Sequence, residues 1–213
     1  MLNPKKVQHL TDQYEKYLDE ITDRLWVVIK TTQESLKENT INEYQQIDFE
    51  LCVLQLRKAL EVTGFLCLLA HRPHYGKYSK RVTKMYEPGK VLKLVKGKNS
   101  TYFPVAIETN KKGKKQIDSS PVSETKMGPV LTEHEYLEAY NKFCGGNMHA
   151  DHSYTREGKD TSKKMLEANL LAKKMMSLLA VHHIIVDQKY LIYAAVNGPD
   201  NRPTATFFSR VRE

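Results

Sequence analysis

Residues 42–71 read NEYQQIDFELCVLQLRKALEVTGFLCLLAH. In the second half of this stretch, apolar side chains cover nearly the whole circumference of a helix, and a helix that is apolar all round lies in a protein interior. Gly64 costs about 1 kcal/mol relative to alanine in a helix, so its presence predicts the close approach of a neighbouring backbone. The stretch therefore predicts a central, buried helix, which the Pro73 ring ends.

Three further helices are predicted around this central one. An amphipathic helix of about eight turns begins at Pro4 and repeats apolar residues every three or four positions. Thr132 and Glu135 have the spacing of a capping box, and they start a helix that the glycines at 145–146 stop. A last helix spans about 160–181.

The remaining ordered segments have the composition of strands and turns. Residues 90–96 alternate imperfectly and residues 101–108 are β-branched and aromatic, with a proline that favours an edge strand. Residues 183–186, 190–196 and 204–211 are apolar runs separated by turn residues, which predicts an antiparallel meander of three strands.

Shorter segments are predicted with less regular structure. Residues 78–85 repeat apolar side chains at helical spacing, so a short helix is expected there. Residues 110–115 are expected to form a hairpin tip or mobile loop, and residues 119–129 have the composition of a linker. Both segments are expected to be poorly ordered.

Together these elements predict an α+β fold, a mainly helical bundle of about four main helices in one domain over residues 1–213. We expect the helical core to cover about 4–74 and 131–181. A lysine-rich β insertion would occupy about 76–129, and the C-terminal three-stranded antiparallel β meander about 182–211.

The composition indicates a cytoplasmic protein that does not enter a membrane. The longest apolar run, 51–70, is interrupted by Arg57, Lys58 and Glu61, so it lacks the ~18 uncharged residues of a membrane span. The first residues show no apolar signal core. Three cysteines at spacings that match no disulfide framework are expected to be reduced thiols.

The positive charge of the chain is concentrated in one segment. Residues 76–115 hold twelve Lys and Arg against two acids, a net charge of +10 in a chain whose total is +8. Lysines neutralise phosphates and aromatic rings stack on bases, so this segment with its tyrosines predicts contact with RNA or DNA. The predicted nucleic-acid-binding residues are Lys77, Lys80, Arg81, Lys84, Lys90, Lys93, Lys96, Lys98, Tyr102, Lys111, Lys112, Lys114 and Lys115.

Two alternative roles for the basic segment stay open. It could bind an acidic protein partner, or its lysines could only keep an edge of the sheet solvated and unpaired. Twelve cations in one segment of an otherwise slightly acidic chain exceed what solubility requires, which favours a polyanion.

The densest polar cluster follows the two glycines at 145–146 and suggests phosphodiester chemistry. Two histidines near neutral pKa can act as general acid and base, while a guanidinium stabilises the charged phosphorane. The candidate catalytic residues are His149, His152 and Arg156, with Asp151 and Tyr154 supporting them. Solvated histidines on a loop are the simpler alternative.

A metal site is a weaker alternative, because the spacing of the ligand types is loose. Its candidate ligands are Cys144, His149, Asp151 and His152. The favoured chemistry uses no metal and no cofactor.

Arg57 and Glu61 lie four residues apart among apolar neighbours, which predicts a structural ion pair. One of His182 and His183 must point inward by the alternation of a strand, which predicts a core histidine.

The sequence carries no P-loop, no Gly-x-Ser-x-Gly elbow and no His-Glu-x-x-His motif. It therefore predicts a nucleic-acid-interacting cytosolic protein, with a metal-independent ribonuclease or nuclease as the candidate enzyme. The alternative is a non-catalytic oligomeric regulatory module, a homo-oligomer that binds an acidic protein.

Overall fold

The computed structural model describes residues 4–37, 45–72, 85, 87–97, 99–107, 121–126, 128–148, 161–187, 190–197 and 202–209. Helices and an antiparallel sheet combine in it, so the α+β class is confirmed. The helices are α1 (Pro4–Lys37), α2 (Gln45–Ala70), α3 (Pro88–Lys96), α4 (Glu133–Glu138), a π-helix (Ala139–Cys144), α5 (Gly145–Asn147) and α6 (Thr161–Ala180). The strands are β1 (Val105–Ala106), β2 (Glu124–Thr125), β3 (Gly128–Pro129), β4 (Val181–Ile185), β5 (Tyr190–Ala195) and β6 (Thr204–Ser209).

Helix α2 is the helix that the others contact. It packs against α1, α3, α6 and the π-helix, and its second half is buried on nearly all sides, with Leu60, Leu66 and Cys67 at 0% exposure. The predicted burial of this half is confirmed. The first half is different, because Ile47, Leu51 and other apolar side chains on one face of it are exposed.

Helices α1 and α2 form an antiparallel pair. The Arg24 guanidinium donates to Gln55 at 2.8 Å, and the Cys52 thiol lies 3.9 Å from the Val28 carbonyl, so residue numbers rise along one helix as they fall along the other. The apolar stripe of α1 enters the core, as its spacing predicts. Its buried apolar members are Leu10, Tyr14, Leu18, Ile21, Leu25, Val28 and Ile29.

The main sheet has four antiparallel strands in the order β1-β4-β5-β6. The C-terminal runs form β4, β5 and β6, and Tyr193 pairs with His183 on one side and Thr206 on the other. The fourth strand, β1, comes from the basic insertion and pairs Val105 with His183 at the edge of the sheet. The sequence predicts a strand in this region but not its place in the C-terminal sheet, because a pairing between distant segments leaves no local pattern.

The predicted strand over residues 90–96 is wrong, because these residues form the second part of helix α3. Pro88 occupies the first turn, where its missing N–H costs nothing. Pro88, Val91, Leu92 and Val95 are buried together, and their spacing of three, one and three is helical rather than alternating.

Two smaller expectations also need correction. The linker predicted over residues 119–129 contains the β2–β3 hairpin, in which Gly128 has a φ of +118°. Only glycine adopts such a φ readily, which explains the turn. The glycines at 145–146 do not stop the helix, since helical structure continues to Asn147. The capping box of Thr132 and Glu135 is confirmed.

The short helix predicted over 78–85 falls almost entirely outside the described residues, as does the loop at 110–115. Within the described part of the chain, we find no helix with an apolar stretch long enough to cross a bilayer.

Gly64 lies where other parts of the chain approach α2 most closely. A Cβ atom at this position would lie 3.2 Å from the Tyr136 hydroxyl and 3.4 Å from the Pro88 Cα. That hydroxyl donates to the Leu60 carbonyl at 2.6 Å, so it is not free to move away. The close approach that the sequence predicts is therefore confirmed.

Gly64→Leu is expected to lower the free energy of unfolding by about 1–3 kcal/mol, because the added side chain must displace Tyr136 and the start of α3. Gly146→Leu is the matched control, since a Cβ there meets nothing within 4 Å. The control variant should be neutral or gain a few tenths of a kcal/mol from helix propensity. Urea unfolding measures both, and equal effects at the two positions would contradict the close packing.

Candidate functional site

Helix α3 separates its apolar and charged residues onto opposite sides. Val91, Leu92 and Val95 are buried at 1% exposure or less. Lys90, Lys93 and Lys96 recur every three residues and are exposed. The packing of α3 on α2 therefore holds three lysines of the predicted basic segment on one solvent-facing side, which we call the lysine face.

Two glutamates lie beside the lysine face. The Lys90 ammonium is 2.7 Å from the carboxylate of Glu87, and the Lys96 ammonium is 3.5 Å from that of Glu133. Both lysine side chains remain more than 60% exposed, and exposed ion pairs of this kind contribute about 0–1 kcal/mol. A phosphate can therefore displace these partners at little cost.

Tyr102 does not belong to the binding surface that the sequence predicted. Its side chain is 1% exposed, and its hydroxyl donates to the carboxylate of Glu133. Burial, together with this carboxylate, raises its pKa well above 10. The ring packs edge-on against Phe103. Because the side chain is buried, no face of the ring is left on which a base could stack. Tyrosine fits both a binding surface and a core, and the sequence pattern could not distinguish them.

Most of the other predicted nucleic-acid contacts lie outside the described residues, in the segments before and after α3. These are Lys77, Lys80, Arg81, Lys84, Lys98, Lys111, Lys112, Lys114 and Lys115. Four of them, at positions 77, 80, 81 and 84, lie in sequence between the exposed Arg72, just beyond the end of α2, and the start of α3. Lys98 follows α3 by two positions.

The candidate catalytic residues His149, Asp151, His152, Tyr154 and Arg156 also lie outside the described residues. Their segment joins α5 to α6. The amide oxygen of Asn147 in α5 accepts a hydrogen bond of 2.9 Å from the Lys164 ammonium in α6. The two flanks of the segment are therefore held together.

Cys144, from the alternative metal set, is a core residue. Its side chain is 0% exposed, and burial raises its pKa to about 12. A protonated, buried thiol is a poor metal ligand, because the thiolate is the form that binds. The described residues contain no group of three or more metal-ligating side chains.

The predicted ion pair between Arg57 and Glu61 is confirmed at 3.2 Å, and the structure adds two partners. The Arg57 guanidinium donates to the Tyr140 hydroxyl at 3.1 Å and lies 4.7 Å from the centre of that ring. The Lys58 ammonium is 3.0 Å from the same carboxylate. Tyr140 sits on the π-helix, a rare element often found at functional sites. The sequence places Tyr140 only on an apolar helix face, since a π-helix has no local sequence signal.

Two histidines are buried with both ring nitrogens bonded. His182 Nδ1 donates to the Leu179 carbonyl at 3.0 Å, and its Nε2 accepts from the Tyr14 hydroxyl at 2.8 Å. The predicted core histidine of this pair is thus His182. His71 Nδ1 donates to the Cys67 carbonyl at 2.7 Å, and its Nε2 accepts from Asn99 at 2.9 Å. Asn99 directly precedes the turn that leads to β1, so His71 joins the end of α2 to the basic insertion.

Burial lowers the pKa of His182 to about 4 from its ordinary value of 6.5. Between these values the unfolded chain binds a proton that the folded chain excludes, so stability falls as the pH falls. We expect the free energy of unfolding to drop by about 2 kcal/mol from this group between pH 7 and pH 5.

Urea unfolding of His182→Gln at the two pH values tests this expectation, because the variant lacks the titrating group and should lose less stability on acidification. His134→Gln is the control, since His134 is 80% exposed, and this variant should still lose more stability on acidification than His182→Gln. An equal loss in wild type and His182→Gln would show that His182 is not the source.

No protein-family model, curated protein or solved structure matches this chain.

Proposed function

We propose that this protein binds nucleic acid through the lysine face of α3. One observation carries the proposal: Lys90, Lys93 and Lys96 point to solvent from the same side of a helix whose other side is buried. The adjoining segments supply nine further cations. Cations held on a helix that is packed into the core attract a polyanion, and the exposed pairs with Glu87 and Glu133 cost little to break.

The burial of Tyr102 limits the kinds of contact that this surface can make with nucleic acid. Within residues 76–115, the described rings of Tyr102 and Phe103 are buried and half-buried respectively, so the described surface offers ammonium groups rather than stacking platforms. Lysines that neutralise phosphates release counterions and carry no base information. The proposed binding is therefore sensitive to salt and largely insensitive to sequence.

The rival partner is an acidic protein, which a lysine face also attracts. Phosphates are spaced regularly along a strand, whereas an acidic protein presents carboxylates in its own arrangement. Binding to oligonucleotides and to polyglutamate, compared at the same salt concentrations, separates the two. Tight binding of polyglutamate without binding of any oligonucleotide would support the acidic partner.

Replacing Lys90, Lys93 and Lys96 together by Gln is expected to weaken binding to a ~20-nucleotide single strand or duplex by at least tenfold at low salt. The slope of log K against log salt should become shallower by about 2–3 on duplex, at about 0.9 for each phosphate that is no longer neutralised. Fluorescence anisotropy over a salt series measures both quantities.

The matched control replaces Lys16, Lys30 and Lys37 by Gln. These exposed lysines lie on α1, so the variant loses the same charge from a different helix. It should retain nearly all of the wild-type salt slope. Equal losses in the two variants would mean that only net charge matters, and absent binding at about 50 mM salt would dispose of the proposal.

The proposed chemistry, if the bound strand is RNA, is metal-independent cleavage by His149 and His152 with Arg156 stabilising the phosphorane. Its support is the composition of the segment and the Asn147–Lys164 bond that joins the flanks. His149→Ala and His152→Ala should each reduce cleavage by about 100-fold or more while binding is unchanged. Cleavage of labelled RNA in the presence of a chelator is the measurement, and unchanged rates in both variants would exclude these roles.

A further inference from the structure

The outer side of the α1–α2 pair carries apolar side chains that the described elements leave exposed. On α2, Ile47, Leu51 and Leu54 are 61%, 40% and 39% exposed, and their spacing of four and three places them in one stripe. On α1, Val27 is 39% exposed. We call these four residues the hairpin patch.

The hairpin patch spans the two helices, and one polar pair lies in the groove between its two parts. Arg24 and Gln55 meet across the pair at 2.8 Å. Val27 is three residues from Arg24, and Leu51 is four residues from Gln55, so each shares a helix face with its neighbour. Val27 and Leu51 therefore lie on either side of the same groove.

The other contacts of α2 are made on different faces. Helix α3 approaches Gly64, and the π-helix approaches Arg57 and Glu61. Phe49, which packs on Phe143, is buried on a side turned away from the stripe. These elements therefore do not cover the hairpin patch.

Charged residues continue both stripes toward one end of the pair. On α1, Asp23 lies four residues before Val27, and Glu20 lies three residues earlier. On α2, Lys58 lies four residues beyond Leu54. Because the helices run antiparallel, the two acids and the lysine are at the same level along the pair. Glu20 pairs with Arg24 at 2.7 Å and Lys58 with Glu61 at 3.0 Å. Asp23 has no ion-pair partner among the residues that the structure describes.

We infer that the hairpin patch is the interface of a dimer formed with a second copy of this chain. A two-fold axis parallel to the helices places α1 of one copy over α2 of the other at the same level. Val27 then meets Leu51 and Leu54 of the second copy. At the charged end, Asp23 meets Lys58 of the second copy, so the surface is complementary to itself in charge.

The size of the surface fits this occupant. A helix of 26 residues, the length of α2, is ~39 Å long, and two helices ~9 Å apart present a face of ~800 Å². The whole outer face of the helix pair, of which the hairpin patch is the apolar part, is therefore about the area that each partner contributes to a stable interface.

Sedimentation velocity of the full chain at ~100 µM tests the inference, since a dimer with a Kd of ~10 µM is mostly assembled at that concentration. We expect a dimer for the wild type and a monomer for Leu51→Lys/Leu54→Lys, in which two ammonium groups are placed in the interface. The Kd should rise by at least ~100-fold. The experiment is done without nucleic acid, so its result is independent of the proposed nucleic-acid binding.

Leu166→Lys/Leu170→Lys is the matched control, because these leucines are 58% and 49% exposed four residues apart on α6. This variant should remain a dimer. A wild-type monomer, a dimer that survives Leu51→Lys/Leu54→Lys, or a dimer lost only in the α6 variant would each overturn the inference.

A charge exchange keeps the test decisive if the leucine variant fails to fold. Asp23→Lys and Lys58→Asp change exposed side chains, and each alone should weaken the dimer about tenfold by placing like charges together. Combined in one chain, they restore opposite charges across the two-fold axis and should recover the wild-type Kd. Failure of the combined variant to recover would contradict the proposed arrangement.

Discussion

Helix α2 must be covered by apolar surfaces of its neighbours, and this requirement sets the arrangement of the other elements. The second half of α2 is apolar on nearly every side, so each neighbouring element must turn an apolar surface toward it. Helix α3 does so with Val91, Leu92 and Val95. The same packing that satisfies α2 therefore turns the lysines of α3 outward, and the cationic surface follows from the burial of the core.

Much of the fold was predictable because its signals are periodic and local. The stripe of α1, the apolar circumference of α2 and the capping box at Thr132 each appear within a few turns of sequence. The C-terminal apolar runs were predictable as strands for the same reason. The core histidine of the pair at 182–183 followed from the alternation of side chains along a strand.

Most of what escaped prediction depends on contacts between distant segments. The strand predicted over 90–96 is different, because the apolar positions that pack on α2 have a helical spacing that the sequence itself contains. The pairing of β1 with β4 and the π-helix that brings Tyr140 to Arg57 have no local signature. Composition also places Tyr102 in the site, because it cannot reveal that the ring is buried.

The lysine face and the hairpin patch are held on different sides of α2, so the two proposals are compatible. The lysine face rests on α3, which approaches α2 at Gly64, while the hairpin patch follows Leu51 and Leu54. The proposed dimer uses neither lysine face, and two weak sites on one particle would gain affinity through effective concentration.

NMR mapping of backbone amides during titration with an oligonucleotide tests whether nucleic acid binds the lysine face. We expect shifts concentrated in residues 89–97 and the adjoining lysine-rich segments, with α1 little changed. Shifts concentrated on α1, or none at saturating oligonucleotide, would contradict binding at the lysine face.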